Sequence, residues 1–303
     1  MLRVIILNLK GGLGNQMFQY ALGYTLSKTK NVPLYFDLRL MEDEMIKPSP
    51  RNVPRDFDLD IFGIKKEIVS KKDLIKTVQF PNNYRLRKYI SIILDKLNLF
   101  IFYEKKRVFN KRILNNNFKN IYLDGLWQSE KYFKDFRDDI LSLYNFDVIK
   151  KKEKNINFLK KIDISKSICL NVRRTDFINN PEHNVVNINY YKNAVLNFIN
   201  ILGNDLKIYV FSDDLEWCKK NLKFNNINFV EHEYAGYKFY DYLYLMSCFE
   251  NFIIPNSSFG WWACWLSKYK DKIIMTPERW SGLIDESLID IVPPEWIRIK
   301  YQK

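Results

Sequence analysis

The sequence predicts an α/β protein whose strands form parallel sheets, and three observations support this class. Short apolar runs such as Leu2–Leu9 are nearly continuous, which is typical of strands that are buried on both faces. These runs alternate with segments of helical periodicity through much of the chain, as in βαβ units. Hydrophobic residues make up 47% of the 303 positions, which excludes a disordered chain. A chain of this length suggests about two domains.

The first βαβ unit contains a glycine-rich loop. Strand Leu2–Leu9 runs into Gly11-Gly12-Leu13-Gly14-Asn15-Gln16, which opens a helix, and a second strand follows at Val32–Phe36. A glycine loop at a helix N-terminus can seat an anion or a closely approaching sugar, and a plain tight turn is the alternative. The loop does not fit the dinucleotide fingerprint, because that pattern requires glycine where Met17 stands. This mismatch disfavours a dinucleotide oxidoreductase.

The segment from residue 47 to 63 reads as a loop that carries an acidic alternation. Prolines punctuate it, and Asp56, Asp58 and Asp60 alternate with apolar residues. Although D-x-D is a pattern of metal-dependent sugar transferases, the alternation favours a half-buried strand with its carboxylates in solvent. We expect no metal at this position.

Two basic stretches follow. Tyr84–Arg112 carries apolar residues at helical spacing as far as Ile101, which predicts either a core-packed helix or a helix lying on an acidic membrane surface. The lysine-rich stretch Lys150–Lys161 predicts an interdomain linker or a surface helix. We therefore place the first domain at residues 1–155 and the second at residues 156–303.

After this stretch, strands and helices alternate regularly. The predicted elements are strand Ile168–Val172, helix Tyr190–Leu202 closed by Gly203, strand Lys207–Phe211, a helix from Leu215, strand Asn228–Val230, helix Tyr240–Phe249, strand Phe252–Ile254, a helix through Trp261-Trp262, and strand Lys272–Met275. Three of these strands end in polar groups, at Arg173-Arg174, Ser212-Asp213-Asp214 and Asn256-Ser257-Ser258. Because the carboxyl ends of parallel strands bind ligands, this coincidence predicts a nucleotide site.

Each of these groups has a plainer alternative. Neighbouring guanidiniums such as Arg173 and Arg174 repel each other and become useful when a dianion arrives, with Asp176 orienting one of them; a solvated basic turn is the alternative. An aspartate of the Ser-Asp-Asp group can accept paired hydrogen bonds from guanine, or it can cap a helix. The hydroxyls of Asn256-Ser257-Ser258 can hold a pyrophosphate, or they too can cap a helix.

The remaining chemistry-bearing residues are few. The four cysteines form no C-x-x-C pair and read as reduced core residues of a cytosolic protein. The two histidines, His183 and His232, stand in separate loops, which disfavours a zinc site. His183 could reach the arginines as a general base, and a surface histidine is the alternative.

The net charge of +13 favours an anionic partner: a nucleotide, a nucleic acid or an acidic membrane surface. A nucleic-acid binder would cluster its basic residues with exposed aromatics, whereas here the basic residues scatter along the chain. No uncharged run is long enough to span a bilayer, which needs about 20 mostly apolar residues, and the first residues do not read as a signal peptide. We expect no nucleic-acid partner.

With these motifs in place, the sequence resembles the family 11 glycosyltransferases, bacterial α-1,2-fucosyltransferases of surface polysaccharide synthesis. The matching segments, which run almost end to end, are KGGLGNQMFQYALG at 10–23, RDFDLDIF at 55–62, NVRRTDF at 171–177, HNVVNINYY at 183–191, FSDDLEW at 211–217, LMS at 245–247, IIPNSSFGWWACWL at 253–266 and PERW at 277–280. No single segment identifies the family, but the combination of all of them in this order is highly specific for it.

The resemblance implies a metal-independent, inverting enzyme that uses GDP-β-L-fucose, needs no cofactor and acts on a sugar hydroxyl of a glycan, either free or lipid-linked. It implies the GT-B architecture, in which two Rossmann-like domains face each other across a cleft, the first on the acceptor side and the second binding the nucleotide. The location it implies is the bacterial cytoplasm. As a separate hypothesis, the basic stretch 84–112 suggests loose association with the inner membrane near lipid-linked acceptors.

The resemblance also implies roles for individual residues. Arg173 and Arg174 would hold the diphosphate, Arg173 would stabilise the departing GDP, and Asp176 or His183 would take the acceptor proton if a base is needed. The remaining implied binding residues are Asp213 or Asp214 for guanine, Asn256, Ser257 and Ser258 for the phosphates, and Gly12, Gly14, Asn15 and Gln16 from the other domain.

The chain departs from the family pattern at three positions. Asn171 stands where the family usually has histidine, and Thr175 stands where it has glycine, although the related core α-1,6-fucosyltransferases have R-R-T-D. Tyr242 replaces an expected aspartate, with Asp241 one place earlier. The donor sugar, the acceptor and the linkage are therefore open at this point, and another GDP-sugar is the alternative.

Overall fold

The computed structural model describes residues 3–46, 54–70, 86, 89–90, 93, 101–118, 120–147 and 149–302. In chain order, the strands of these residues are β1 (Val4–Asn8), β2 (Leu34–Asp37), β3 (Ile101–Tyr103), β4 (Asn120–Asp124), β5 (Ser167–Val172), β6 (Lys207–Ser212), β7 (Ile227–Phe229), β8 (Asn251–Ile253), β9 (Ile273–Pro277) and β10 (Ile297–Ile299). The α-helices whose bounds lie within these residues are α1 (Leu13–Lys30), α2 (Arg39–Ile46), α3 (Lys111–Leu114), α4 (Arg137–Leu143), α5 (Glu153–Leu159), α6 (Ile188–Leu202), α7 (Leu215–Asn221), α8 (Tyr240–Ser247) and α9 (Ser258–Leu266). Residues 86, 89–90 and 93 are also helical.

The chain divides into two compact units. The first comprises Met1–Tyr144 with Leu288–Ile291, and the second comprises Asn145–Ser287 with Val292–Lys303. This border precedes the one we placed at residue 155, and the reason lies in the lysine-rich stretch. That stretch folds as a 3-10 turn followed by α5, and Lys152 and Asn155 contact the buried Asp241 of the second unit. It is therefore a helix of the second unit and not a linker.

The first unit is built on a parallel sheet whose described strands have the order β2-β1-β4-β3. Every residue of β1 is buried, as its apolar run predicts. The sequence patterns did not identify β3 or β4, and Ile101, which we predicted to be helical, begins β3. Thirteen of the 29 residues of the predicted helix 84–112 lie outside the described residues.

The acidic segment of the first unit differs from the prediction. Phe57 and Leu59 are buried while Asp56 and Asp60 are exposed, so the predicted alternation of burial is present. The backbone is nevertheless not a strand, because Leu59–Phe62 forms a 3-10 helix that ends at Gly63. Gln16 holds this segment in place, as described below.

The second unit is built on a larger parallel sheet with the order β10-β9-β8-β5-β6-β7. Its core packs α6 against the central strands, with Tyr190, Phe198 and Leu170 among the fully buried side chains. Trp261 and Trp262 of α9 are also fully buried, so the prediction that they are core residues is confirmed. The predicted elements of this unit lie within a few residues of the observed ones, and β10 was not predicted. The α/β class with parallel sheets is confirmed.

The helix ends follow the local sequence signals. Asn187 caps α6 by accepting hydrogen bonds from the amides of Asn189 and Tyr190, and the helix ends at Gly203 with φ of 91°. Asp214 caps α7 by accepting from the amide of Trp217 at 3.1 Å. Among the described helices, none combines the length and the apolar composition that crossing a membrane requires.

Candidate functional site

The loop that follows β5, residues 173–177, carries several side-chain hydrogen bonds and ion pairs, and we call it the arginine loop. Asp213, just after β6, fixes its backbone. The Asp213 carboxylate accepts from the Arg174 amide at 2.9 Å, from the Thr175 amide at 3.1 Å and from the Thr175 hydroxyl at 2.5 Å. The paired strands β5 and β6 thus hold the two arginines at their carboxyl ends, as the alternation of elements predicts.

The two arginine side chains have different surroundings. Arg173 donates through Nε to Asp176 at 2.9 Å, and its terminal nitrogens lie 2.8 Å from Asp176 and 3.2 Å from Asp213. Asp176 therefore orients Arg173, as the sequence suggested. Arg174 contacts Asp214 through Nε at 3.1 Å and lies 3.8 Å above the ring of Trp217. Its two terminal nitrogens have no hydrogen-bond partner among the described residues, so they can donate to a ligand.

The arginine loop and the aspartates beside it do not form a purely cationic patch. Two guanidiniums face the three carboxylates of Asp176, Asp213 and Asp214, so two positive charges meet three negative ones. Anion binding here must therefore depend on directed N–H donors more than on net charge. Both aspartates that we assigned to guanine are engaged within the loop, and Asp214 is also the cap of α7. A guanine contact by either one stays a prediction.

A small pocket of about 40 Å³ lies beside the arginine loop. Its walls include the side chains of Arg173, Arg174, Phe177, His183, Tyr191 and Trp217. It has room for water or part of a phosphate group but not for a nucleoside. The Tyr191 hydroxyl has no partner among the described residues, and burial raises the pKa of the phenol, so it keeps its proton and can donate.

His183 and Asn256, both predicted site residues, are in contact. The Asn256 amide nitrogen donates to the carbonyl of His183 at 3.1 Å and to that of Trp280 at 2.9 Å. The His183 ring stacks on Phe177, with the ring centroids 4.9 Å apart. Asn256 is 4% exposed, and its oxygen has no partner among the described residues. Asn256 thus links the backbone at His183 to the segment that follows β8.

The two serines lie at the start of α9. Ser257 is buried at the N-cap position, and its hydroxyl makes no capping hydrogen bond, whereas Ser258 is half-buried. The strands β5 and β8 are neighbours, and the direction in which successive strands are added to the sheet reverses between them. Ligands of open α/β sheets bind at such switch points. The structure therefore places the serines after β8, the strand that pairs with the strand preceding the arginines.

The departures from the family pattern have local explanations. Asn171 donates to the carbonyl of Phe211 at 3.1 Å, and its oxygen faces Gly260, where a Cβ would lie 2.7 Å from it. Asp241 is fully buried and accepts from Lys152 at 2.9 Å through each oxygen. Tyr242 is buried and donates to the carbonyl of Val230. Asp241 is therefore a structural ion-pair partner and is not exposed to a ligand.

The predicted ligand-binding residues of the first unit differ in burial. Gln16 is fully buried and donates to the carbonyls of Gly11 at 2.9 Å and Asp56 at 2.8 Å, while its oxygen accepts from the Asp58 amide at 2.9 Å. In this structure all of these hydrogen bonds serve to clamp the glycine loop, and a ligand contact by Gln16 stays a prediction. Gly14 is buried as well.

Asn15 and Gly12 remain at the surface. Both are partly exposed, and the Asn15 oxygen accepts from Gln128 at 2.8 Å. Gly11 has φ of 77°, and a Cβ there would lie 2.5 Å from the Asn15 amide nitrogen, so the loop requires glycine at this position. The Asn15 side chain thus packs over a glycine whose bare Cα makes room for it.

The sequence patterns did not single out several residues that shape these regions. Tyr191 and Trp217 were not singled out because buried aromatics look alike in a sequence. Lys10 and Asp124 form a close ion pair at 2.8 Å across the first sheet, although they are far apart in the chain. Asp124 directly follows the apolar run Ile121–Leu123, and that strand-end position is the signal that could have identified it.

No cluster of three or more histidine, cysteine, aspartate or glutamate side chains within the described ranges has the arrangement of a metal site. The expectation that this protein works without a metal stays a prediction.

The fold and this site define an α/β protein with two parallel-sheet units, the second of which presents oriented arginine donors at its strand ends. The chain belongs to glycosyl transferase family 11, whose family model matches residues 3–300. It is therefore a glycosyltransferase.

Similar proteins include two from Escherichia coli. An "Alpha-1,2-colitosyltransferase" is 31% identical over 304 residues, covering 98% of this chain and 99% of that protein. An "O-antigen biosynthesis glycosyltransferase WbnK" is 32% identical over 315 residues, covering 96% and 99%. Among solved structures, a NodZ alpha-1,6-fucosyltransferase soaked with GDP-fucose is 14% identical with a TM-score of 0.49, covering 90% of this chain and 97% of that one. A likeness that weak carries no functional conclusion.

Proposed function

We propose that this protein transfers L-fucose from GDP-β-L-fucose to a sugar hydroxyl of a bacterial surface glycan, with α-1,2 linkage to galactose. The observation that carries the proposal is the arginine loop, which offers oriented N–H donors at the strand ends where nucleotides bind in such sheets. The family supplies the reaction class, and the name of one bacterial relative supports an O-antigen context.

The proposed reaction is a single displacement. The acceptor oxygen forms a bond to the anomeric carbon while the bond from that carbon to the β-phosphate oxygen breaks, and GDP departs with the electron pair. Negative charge grows on the diphosphate, so donors already aimed at it lower the barrier. Arg174 supplies terminal N–H groups that lack other partners among the described residues, and Arg173 is pre-oriented by Asp176 and Asp213.

The acceptor proton has two candidate recipients on this chain. Asp176 lies beside the arginine loop, and His183 is held against Phe177 at the edge of the same small pocket. Neither is required if departure of the phosphate leads the reaction, because the departing diphosphate can then take the proton. The proposal includes no cofactor and no metal.

A second donor is favoured by a specific observation. One relative carries the name colitosyltransferase, and colitose is a 3-deoxy derivative of L-fucose. The departures at Asn171 and Tyr242 also leave the donor open. The same site with GDP-colitose is therefore our alternative.

The test is a donor and acceptor panel. The protein is incubated with GDP-L-fucose, GDP-colitose and GDP-mannose, each with several β-galactosides, and the product linkage is determined by NMR. We expect fucose to be transferred to O2 of galactose. Transfer of colitose alone would support the alternative donor. A thermal-shift assay with GDP and an oligonucleotide tests the nucleotide site itself. A higher melting temperature with the oligonucleotide and no effect of GDP would contradict that site.

The membrane part of the proposal is tested separately. A glycan acceptor of a surface polysaccharide can be lipid-linked, and the basic stretch 84–112 would then favour contact with an acidic membrane. We expect sedimentation with acidic liposomes at low salt and release at high salt. Equal sedimentation with neutral liposomes would contradict an electrostatic contact.

A further inference from the structure

Five buried side-chain atoms of the first unit have no hydrogen-bond partner among the described residues: Thr25 Oγ1, Trp127 Nε1 and three amide or carboxylate oxygens. These three oxygens are Oδ1 of Asn8, Oδ2 of Asp124 and Oε1 of Gln128, on side chains that are 1%, 1% and 6% exposed. Buried polar atoms without partners are uncommon in folded proteins, and each asks for an explanation. Here the three side chains come from the ends of two paired strands and the segment that follows one of them.

The hydrogen bonds around these residues fix which atoms remain. Asn8 donates through Nδ2 to Oδ1 of Asp124 at 3.0 Å, and the Lys10 ammonium contacts the same oxygen at 2.8 Å. Because an ionised carboxylate only accepts, the amide group of Asn8 must be turned with its nitrogen toward Asp124. The atoms left over are therefore the oxygen of Asn8 and the second oxygen of Asp124.

The chemistry of the three atoms selects the kind of ligand. All three are acceptors, so a ligand that satisfies them must bring hydrogen-bond donors. A diphosphate brings only acceptor oxygens, whereas a neutral sugar brings several O–H groups. Unpartnered oxygens are not general at this edge of the sheet. The carboxylate of Asp37, at the end of the adjacent strand β2, has both oxygens bonded, by Arg39 and by the Tyr122 hydroxyl.

The position in the fold agrees with a ligand site. From β1 the chain runs to β2 on one side, while β4 lies on the other side, so the order of the sheet reverses between β1 and β4. Ligands of open α/β sheets bind outside the carboxyl ends of strands at such a reversal. The partly exposed Gly11 and Gly12 follow β1 at this edge, and the Lys10 side chain is 20% exposed.

The segment that carries Gln128 is held in an unusual conformation. Trp127 has φ of 55°, and the Glu104 carboxylate accepts from the amides of Leu126 at 2.6 Å and Trp127 at 3.0 Å. A bulky residue in the left-handed region costs energy, and such strain is often found at binding sites. Gln128 then reaches Asn15 of the glycine loop at 2.8 Å.

We propose that Asp124, Asn8 and Gln128 form a hydroxyl-binding site for the neutral carbohydrate acceptor in the first unit. Lys10 pairs with Oδ1 of Asp124 at 2.8 Å, which leaves Oδ2 for a sugar hydroxyl. The inference rests on the proposed function, because it assigns the acceptor of that reaction to these residues.

The test is Asp124→Asn, which keeps the shape of the side chain and removes its charge. We expect the acceptor KM to rise at least roughly tenfold, as for a lost hydrogen bond to a charged group, with the donor KM within about twofold of wild type. The matched control is Asp37→Asn, an equally buried carboxylate whose oxygens are already bonded. It should lower the melting temperature without raising the acceptor KM.

A second readout keeps the test independent of transfer. Binding of methyl β-D-galactoside is followed by saturation-transfer NMR for wild type, Asp124→Asn and Asn8→Ala, with circular dichroism as the check on folding. We expect signal from the wild type and its loss in both variants. If Asp124→Asn does not fold, Asn8→Ala carries the test alone.

The outcomes separate the two proposals. An unchanged acceptor KM and an unchanged galactoside signal in folded variants would overturn the hydroxyl site and leave the three oxygens as water ligands. If the wild type used no GDP-sugar yet bound the galactoside through Asp124, the proposed donor would fail while this inference would stand.

Discussion

Three aspartates in and beside the arginine loop hold its backbone and its guanidiniums in place. Asp213 accepts from two backbone amides and a hydroxyl, so its main role in this structure is to fix the loop backbone. Asp176 and Asp214 each hold one guanidinium at Nε. Ordering these side chains beforehand matters because a flexible arginine would lose rotamer entropy at the moment of binding.

The first prediction concerns the two arginines. Arg173→Ala should lower kcat roughly a hundredfold or more, as for removal of one preorganised electrostatic donor. Arg174→Ala should mainly raise the donor KM, because its terminal nitrogens are the ones without partners among the described residues. The measurement is steady-state transfer with varied donor.

The matched control is Arg298→Ala, which removes an arginine of the same unit that pairs with Glu286. Its kinetics should match the wild type. An equal loss of rate in all three variants would show that the effect is one of general charge and not of the arginine loop.

At the scale of elements, α1 and the acidic segment are joined through one side chain. Gln16 satisfies two carbonyls and one amide from the glycine loop and residues 56–58, all without contact with solvent. The resemblance implied a ligand role for Gln16, and the hydrophobic periodicity of the helix gave no warning. A glutamine that is buried looks like an exposed one in the sequence, because two of its three partners lie 40 or more positions away.

The second prediction follows from this clamp. Gln16→Leu should lower the free energy of unfolding by about 1–3 kcal/mol, because buried backbone groups lose their partners. The affinity for GDP should not change. Urea denaturation and isothermal titration measure the two quantities, and Gln302→Leu, at an exposed glutamine, is the control. Weaker GDP binding with unchanged stability would support the ligand role.

The third prediction concerns the approach of α9 to β5. A Cβ on Gly260 would lie 2.7 Å from the Asn171 oxygen and 3.3 Å from Ile254. Gly260→Ala should therefore destabilise the protein, and adding Asn171→Ala should recover part of the loss by removing the nearer contact. Thermal unfolding of the two single variants and the double variant measures the coupling. Additive losses would contradict a direct contact.

At the scale of the whole molecule, the cysteines belong to the second unit and are reduced. Cys169, Cys218 and Cys264 are buried, and Cys248 is half-buried. Burial raises the pKa of Cys218 and of Cys248 to about 11, and it raises the pKa of the other two thiols well above the ordinary value. Their environment is apolar packing and not a reactive site.

The fourth prediction is that these thiols react slowly. At about pH 8, a thiol with a pKa of about 11 is ionised in roughly one molecule per thousand, and the thiolate is the reactive form. We expect little alkylation by iodoacetamide in the native protein and complete alkylation in guanidinium chloride, measured by mass spectrometry. Rapid native labelling of any one cysteine would contradict its burial.

The fifth prediction is that transfer survives chelation. If arginine N–H groups neutralise the departing diphosphate, no divalent cation is needed, and EDTA should leave the rate within about twofold of its starting value. A metal-dependent transferase assayed beside it serves as the control. Loss of activity with EDTA and recovery with manganese would contradict this role of the arginines.

The sequence by itself determined the α/β class, the family, and most of the strand–helix order of the second unit. It also placed Arg173, Arg174 and Asp213 at strand ends, because periodicity and apolar runs report the local backbone and its burial. The tertiary structure alone decided that Asp213 anchors the arginine loop, that Gln16 is a buried clamp, and that Asn8, Lys10 and Asp124 meet. Those pairings depend on strand order, which crossover connections set, and Asn8 lies 116 positions from Asp124. Local patterns carry no information about contacts at that separation.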